Sequence, residues 1–158
     1  MGYTALRHTK KLTAAILVLG VTLLVGCKGE PPRLTIENAR AVFSPAMKDE
    51  ASVYLMIRND GGKDILTSAR TNLPGVTAEI HVMRGGLMVI SNALPIAAKN
   101  GLELGPMSSH IMLIHLPADV KEGYPFTLTL AFERSGEMQA PLMFVKQEPQ
   151  PMMHGHHH

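Results

Sequence analysis

Two short patterns in this chain could do chemistry. They are His81-Val82-Met83 and His110-Ile111-Met112. On a β-strand, residues i and i+2 project from the same face, so each pattern offers one imidazole and one thioether side by side. Met88 lies between them and adds a third thioether. Taken singly, a histidine on an apolar strand is usually an ordinary core or surface residue, and a methionine is usually core filler. Two His-x-Met pairs in one small domain are a different matter. Imidazole nitrogens and thioether sulfurs, with no carboxylate among them, form a soft donor set that suits copper(I). The expectation is a copper-binding module built on His81, Met83, Met88, His110 and Met112.

The elements that must position these residues read as strands. Leu34–Glu37, Ser52–Arg58, Asp64–Thr71, Thr77–Met83, Leu87–Ile90, Leu102–Leu104, His110–Leu116, Phe126–Phe132 and Met138–Val145 are rich in strand formers. Turn signals close them, among them Asn59-Asp60-Gly61-Gly62, Gly105-Pro106, Gly123-Tyr124-Pro125 and Ser135-Gly136. Arg84-Gly85-Gly86 predicts a tight hairpin between the strand of His81 and Met83 and the strand of Met88. No amphipathic helix stands out. The pattern predicts an all-β, antiparallel β-sandwich. Met107 is a lesser candidate ligand, read first as a loop cap over apolar surface. His115 reads as structural, Tyr54 as core and Arg58 as surface.

The first 26 residues carry Arg7, Lys10 and Lys11, then the apolar run Leu12–Leu24, then Leu24-Val25-Gly26-Cys27. This is the architecture of a signal peptide ending in a lipobox, with Cys27 lipidated and made the new N-terminus. Residues 27–33 read as a tether, 34–146 as the domain and 147–158 as a tail. Cys27 is the only cysteine, so the mature domain has no thiol. In an oxidising compartment, a soft-metal site is better built from His and Met. Of 15 basic residues, removing Arg7, Lys10 and Lys11 leaves 12 against 13 acidic ones. With neither a basic stripe nor many aromatics, nucleic acid is excluded as a partner. No Ser/His/Asp set, carboxylate pair or nucleotide loop points to an enzyme. A blue-copper electron carrier would need a cysteine ligand.

From Leu34 to about Val145 the chain resembles the periplasmic copper-chaperone family PCuA(C), whose motif is written H(M)-x10-M-x21-H-x-M. Met88 is followed by 21 residues and then His110-Ile111-Met112, as in the motif's second half. His110–Leu116 resembles the family's H-x-M-L-x-x-L strand, Ala51–Asn59 its A-x-Y-x-x-I-x-N strand, and Ala78–His81 the approach to its first ligand. The chain departs from the pattern in having only six residues between His81 and Met88. Either Met83 or Met88 could therefore be the third ligand. Met107-Ser108-Ser109 replaces the usual Gly-Gly, and no tryptophan precedes Arg40.

The resemblance implies a cupredoxin-like sandwich and a metallochaperone. It implies delivery of copper(I) to a partner apoprotein, such as the dinuclear copper site of cytochrome c oxidase or an assembly factor. Some members also carry a His/Met-rich tail, and here Met152, Met153, His154, His156, His157 and His158 read as an accessory site able to take copper(II). The alternatives are a copper-sequestering resistance lipoprotein and a metal-free structural β-sandwich lipoprotein. The expected location is the periplasm or cell exterior, with the membrane reached through the lipid anchor.

Overall fold

Alternation along the strands decides the architecture. In the strand Glu50–Asn59, Ala51, Val53, Leu55 and Ile57 are buried while Ser52, Tyr54, Met56 and Arg58 point outward. The structure, a computed structural model, describes residues 29–146. Cys27, the signal segment before it and the tail with Met152, Met153, His154, His156, His157 and His158 lie outside the described residues.

Ten strands follow in order: β1 Leu34–Phe43, β2 Glu50–Asn59, β3 Asp64–Thr71, β4 Thr77–Arg84, β5 Leu87–Ser91, β6 Leu94–Ile96, β7 Leu102–Leu104, β8 His110–Ile114, β9 Pro125–Phe132 and β10 Gly136–Val145. They hydrogen-bond in the order β5-β4-β8-β2-β1-β10-β9-β3-β6, and β7 pairs with the second half of β2. The β5-β4-β8-β2-β1 half packs its inner face against the β10-β9-β3-β6 half. The shared core includes Val53, Ile57, Ile80, Val82, Ile111 and Leu113 from the first half and Leu66, Leu128, Leu130 and Phe144 from the second. The sheet is therefore mixed, because β1 and β10 run parallel through Ala41↔Phe144 and Val42↔Val145 while the other pairs are antiparallel.

The register of the site strands is set by burial. A one-residue slip of β4 or β8 would turn Ile80, Val82, Ile111 and Leu113 out to water and His81 and His110 into the core. Each of those apolar side chains contributes about 1.5–3 kcal/mol by being buried, so the slipped registers lose heavily. The β4–β5 turn has Gly85 and Gly86 at φ 57° and 81°. Both central residues are left-handed, which is the two-residue turn whose twist matches a hairpin.

At the far end of β2, the chain entering the domain is held closely. The amide N–H of Gly62 donates to the Pro31 carbonyl at 2.9 Å and that of Asp60 to the Arg33 carbonyl at 3.0 Å. Buried Asn59 donates to the carbonyls of Gly62 and Ala97 at 2.8 and 2.9 Å and accepts from the amides of Gly61 and Arg33. Next to it, buried Asp64 accepts from the Ile65, Arg134 and Ser135 amides and from the Ser135 hydroxyl. Burial opposes ionisation of Asp64, but these donors outweigh it and hold its carboxyl below the ordinary aspartate value.

Candidate metal centre

β4 and β8 are neighbours, and their register places His81 directly opposite His110 and Glu79 directly opposite Met112. Since Ile80, Val82, Ile111 and Leu113 face the core, Glu79, His81, Met83, His110 and Met112 share the outer face of the sheet. On the other side of β4, Met83 is opposite Met88 and His81 opposite Ile90. The five candidate ligands thus lie on one surface, in three successive rows across three strands. The imidazole rings of His81 and His110 have centroids 5.4 Å apart. The methionines flank this pair. Met112 stands next to His110 along β8, and Met83 next to His81 along β4, on the side facing Met88. Diagonal neighbours of this kind have backbones about 7–8 Å apart, a span that a flexible thioether can bridge.

The two histidines are not equivalent. The Nδ1 of His110 lies 3.0 Å from the Ser108 carbonyl, which can only accept, so Nδ1 carries the proton. The remaining nitrogen, Nε2, is buried and has no hydrogen-bond partner. Burial lowers the His110 pKa below 6.5, with the Ser108 bond opposing and the nearby His81 adding to the shift. The ring is therefore neutral at neutral pH, with its lone pair unused. The turn that presents Ser108 is closed by Gly105 N–H on Ser109 O at 2.9 Å and Ser108 N–H on Gly105 O at 3.3 Å. His81, by contrast, has its Nε2 at 3.0 Å from a Glu79 carboxylate oxygen.

Several residues stand differently from the sequence expectation. A carboxylate does adjoin the donor set, because Glu79 precedes His81 by the same two-residue step that Met83 follows it. Tyr54 lies on the outer face beside the site and not in the core, with its ring edge-on to His110 at 6.3 Å between centroids. The Arg40 guanidinium sits 5.5 Å from the Tyr54 ring centroid on its other side. Ser52 Oγ donates weakly to the Met112 sulfur at 3.9 Å, which orients that thioether. Met107 covers nothing; it is 89% exposed at a left-handed backbone position. His115 lies just past the end of β8, exposed, with φ 65°. Arg58 is on the surface as expected, paired with Glu37 at 3.7 Å.

Among the described residues, no group of three or more His, Cys, Asp or Glu side chains gathers as a hard-ligand metal site. What gathers is a pair of imidazoles edged by thioethers. Around it the hairpin exposes apolar side chains, with Leu87 and Ile90 exposed by 70% and 67%.

The profile of the LpqE-like lipoprotein family matches residues 34–143. The chain belongs to this family. No curated protein matches it. Among solved structures it is similar to the copper-bound PCuAC domain from PmoF2, with 18% identity and a TM-score of 0.60, covering 72% of this chain and 93% of that one. The apo PCuAC domain from PmoF1 is similar at 22% identity and TM-score 0.61, covering 72% and 94%. The copper(I) form of DR1885 from Deinococcus radiodurans is similar at 21% identity and TM-score 0.58, covering 70% and 76%. This member of the LpqE-like family therefore has the PCuAC, cupredoxin-like fold.

Proposed function

We propose that the protein is an extracytoplasmic, lipid-anchored copper carrier, which binds copper(I) at the β4–β5–β8 face and passes it to a partner apoprotein. The observation that carries this reading is the Nε2 of His110. It is a buried acceptor with no hydrogen-bond partner, its proton fixed on the other nitrogen by Ser108, on a face edged with thioethers. A buried polar atom left without a partner costs about 1–3 kcal/mol, and a metal ion would recover that. His81, Met112 and a thioether of the Met83–Met88 pair would complete the set. These sulfurs are neutral and soft, so they would favour copper(I) over copper(II) and need no deprotonation. Neutral, exchangeable ligands on an outer face suit transfer better than storage.

The LpqE-like lipoprotein family supports acylation at Cys27, and the copper-bound PCuAC structures support copper as the cargo. The recipient in this reading is a copper-accepting apoprotein such as the dinuclear copper site of cytochrome c oxidase, or an assembly factor for it. The tail, Met152 to His158, would serve as an accessory site for copper(II). The test is competitive copper(I) titration of residues 28–146, alongside residues 28–158. The shorter protein should bind one copper(I), the Met112→Leu variant should bind it more weakly, and the tail should add capacity mainly for copper(II). Unchanged copper(I) affinity in both Met112→Leu and His110→Ala would refute the site.

A further inference from the structure

We propose that Glu30–Arg33 is a latch that seats the Asn59–Gly62 end of the sandwich on the headgroup surface of the bilayer to which the chain is anchored. The inference rests on the lipid-anchored reading above and adds to it an orientation, and hence a fixed height for the copper face.

A lipoprotein domain on a long flexible linker can present any side to the membrane. Here the linker is nearly absent. The Glu30 carboxylate receives the Lys99 ammonium at 2.7 Å and the Arg33 guanidinium at 2.9 Å, and the Glu30 carbonyl receives the Arg134 guanidinium at 3.1 Å. The Arg33 guanidinium also donates to the Asp60 carbonyl, as does the Lys99 ammonium. Exposed ion pairs of this kind contribute little singly. The main-chain contacts weigh more. The amides of Asp60 and Gly62 bond the carbonyls of Arg33 and Pro31, and the two segments lie so close that only glycine fits between them. A Cβ on Gly62 would fall 1.8 Å from the Glu30 carbonyl oxygen, and one on Gly61 2.2 Å from that of Pro31. Replacing either glycine forces the entering chain off the domain.

Only Lys28 and Gly29 separate Cys27 from Glu30. Three residue steps span at most about 10 Å. A diacylated cysteine is buried at the bilayer surface, so the Asn59–Gly62 end has to lie within that distance of the headgroups. The row of Tyr54, His110 and His81 is five residues back along β2 from Asn59, roughly 17 Å. The histidine row of the copper face thus stands above the lipid, with the Met83–Met88 row nearer to it, at a height set by the latch. β4 runs in the same direction as β2, since each is antiparallel to β8, so the β4–β5 hairpin points toward the same end. A recipient standing on the same membrane meets that face without the carrier having to turn over.

The experiment uses the full chain purified from membranes, with acylation of Cys27 verified by mass. It is placed in vesicles of phosphatidylcholine and phosphatidylglycerol doped with a gadolinium-chelating lipid. Spin labels are attached at Asn100→Cys, beside the latch, and at Asp119→Cys, in the loop at the opposite end of β2. The expected result is a several-fold larger relaxation enhancement at position 100 than at 119. Equal enhancement in acylated protein overturns the seating while leaving the anchor intact. Absence of acylation overturns the anchor, and the seating with it. Gly62→Val should equalise the two positions. Glu30→Ala, which introduces no clash, should narrow the difference and keeps the test open if the valine variant does not fold. Copper(I) affinity of the soluble domain should be the same with either change. A difference that survives both variants shows that the latch does not set the orientation.

Discussion

The Asn59 end of β2 and its middle at Tyr54 serve as a controlled comparison. Around Asn59 and Asp64 every buried polar group is used. The Asn59 amide makes four hydrogen bonds and the Asp64 carboxylate accepts four. Around Tyr54 the sheet carries a buried imidazole nitrogen with no partner, beside thioethers that are over a third exposed at Met83 and Met88. The first region is finished by the fold itself. In the proposed reading, the second is finished only by a bound metal ion. Completeness of hydrogen bonding thus separates structural from functional polar residues more sharply than residue type does, since both regions are rich in side chains that could bind an ion.

The largest effect that sharpens this contrast belongs to the finished end. Asp64→Ala strands the amides of Ile65, Arg134 and Ser135 together with the Ser135 hydroxyl. Losing several buried partners at once should cost about 3 kcal/mol or more of stability. Copper(I) affinity, measured under conditions where the variant remains folded, should stay the same. Equilibrium denaturation in urea reads the first quantity and chelator competition the second. A stable Asp64→Ala protein would remove the distinction between the two regions.

The converse change is His110→Ala. It deletes the orphaned nitrogen along with the ring, so the destabilisation should stay near 1 kcal/mol, well below that of Asp64→Ala. Copper(I) affinity should fall by about a hundredfold or more, corresponding to roughly 2.7 kcal/mol of binding energy. The two variants should therefore exchange their effects. A His110→Ala protein that unfolds readily and still binds copper would mean that the imidazole serves packing.

Glu79 has an intermediate character, because its one partner is the Nε2 of His81. A carboxylate accepting from a ligating imidazole fixes the ring's orientation and tautomer, and its removal commonly costs about tenfold in metal affinity. Glu79→Ala should show that loss, and Glu79→Gln, whose amide oxygen can still accept, should retain most of the affinity. If Glu79→Ala binds copper(I) more tightly than the wild type, the carboxylate competes with copper for Nε2 and is no support for the ring.

How far this contrast could be read beforehand differs between its halves. Alternation gave nine of the ten strands, because Val53-Leu55-Ile57 and Ile111-Leu113 declare an inner face on their own. β6 escaped notice because Leu94-Pro95-Ile96 is three residues around a proline on an edge strand, where alternation has no length to show itself. The parallel β1–β10 pairing is a long-range choice between distant segments, and local pattern carries no trace of it. The shared face of His81, Met83, His110 and Met112 follows from a two-residue step, so it was legible once strands were assumed. Glu79 obeys the same step in the other direction. Tyr54 sits in SVYLMIR, where apolar residues occupy both faces and inside cannot be told from outside. The partner that fixes the His110 proton is a backbone carbonyl, which has no sequence signature. The latch was equally hidden, since Pro31 and Pro32 read as a linker and its partners lie more than 25 residues away.

The smallest effect expected is in the pH dependence. The His110 pKa is lowered by burial, so the folded protein takes up its proton less readily than the unfolded chain, whose histidines titrate near 6.5. Above that value both states hold the ring neutral, and His110 adds no pH dependence. As the pH falls from 6.5 toward the lower folded value, the unfolded state gains protons first and stability drops. The drop from this one residue should be small, and it should vanish in His110→Ala when the two denaturation profiles are subtracted. Copper follows the same titration from the other side. Binding needs the neutral ring, so proton competition at His110 should begin weakening copper(I) affinity below the ordinary histidine range and not within it. In a His81→Ala background, an affinity that already falls between pH 7.5 and 6.5 by the full proton-competition slope of one histidine, and does so equally when Ser108→Pro disturbs the turn, would show that burial and the Ser108 carbonyl do not keep this nitrogen free for the metal.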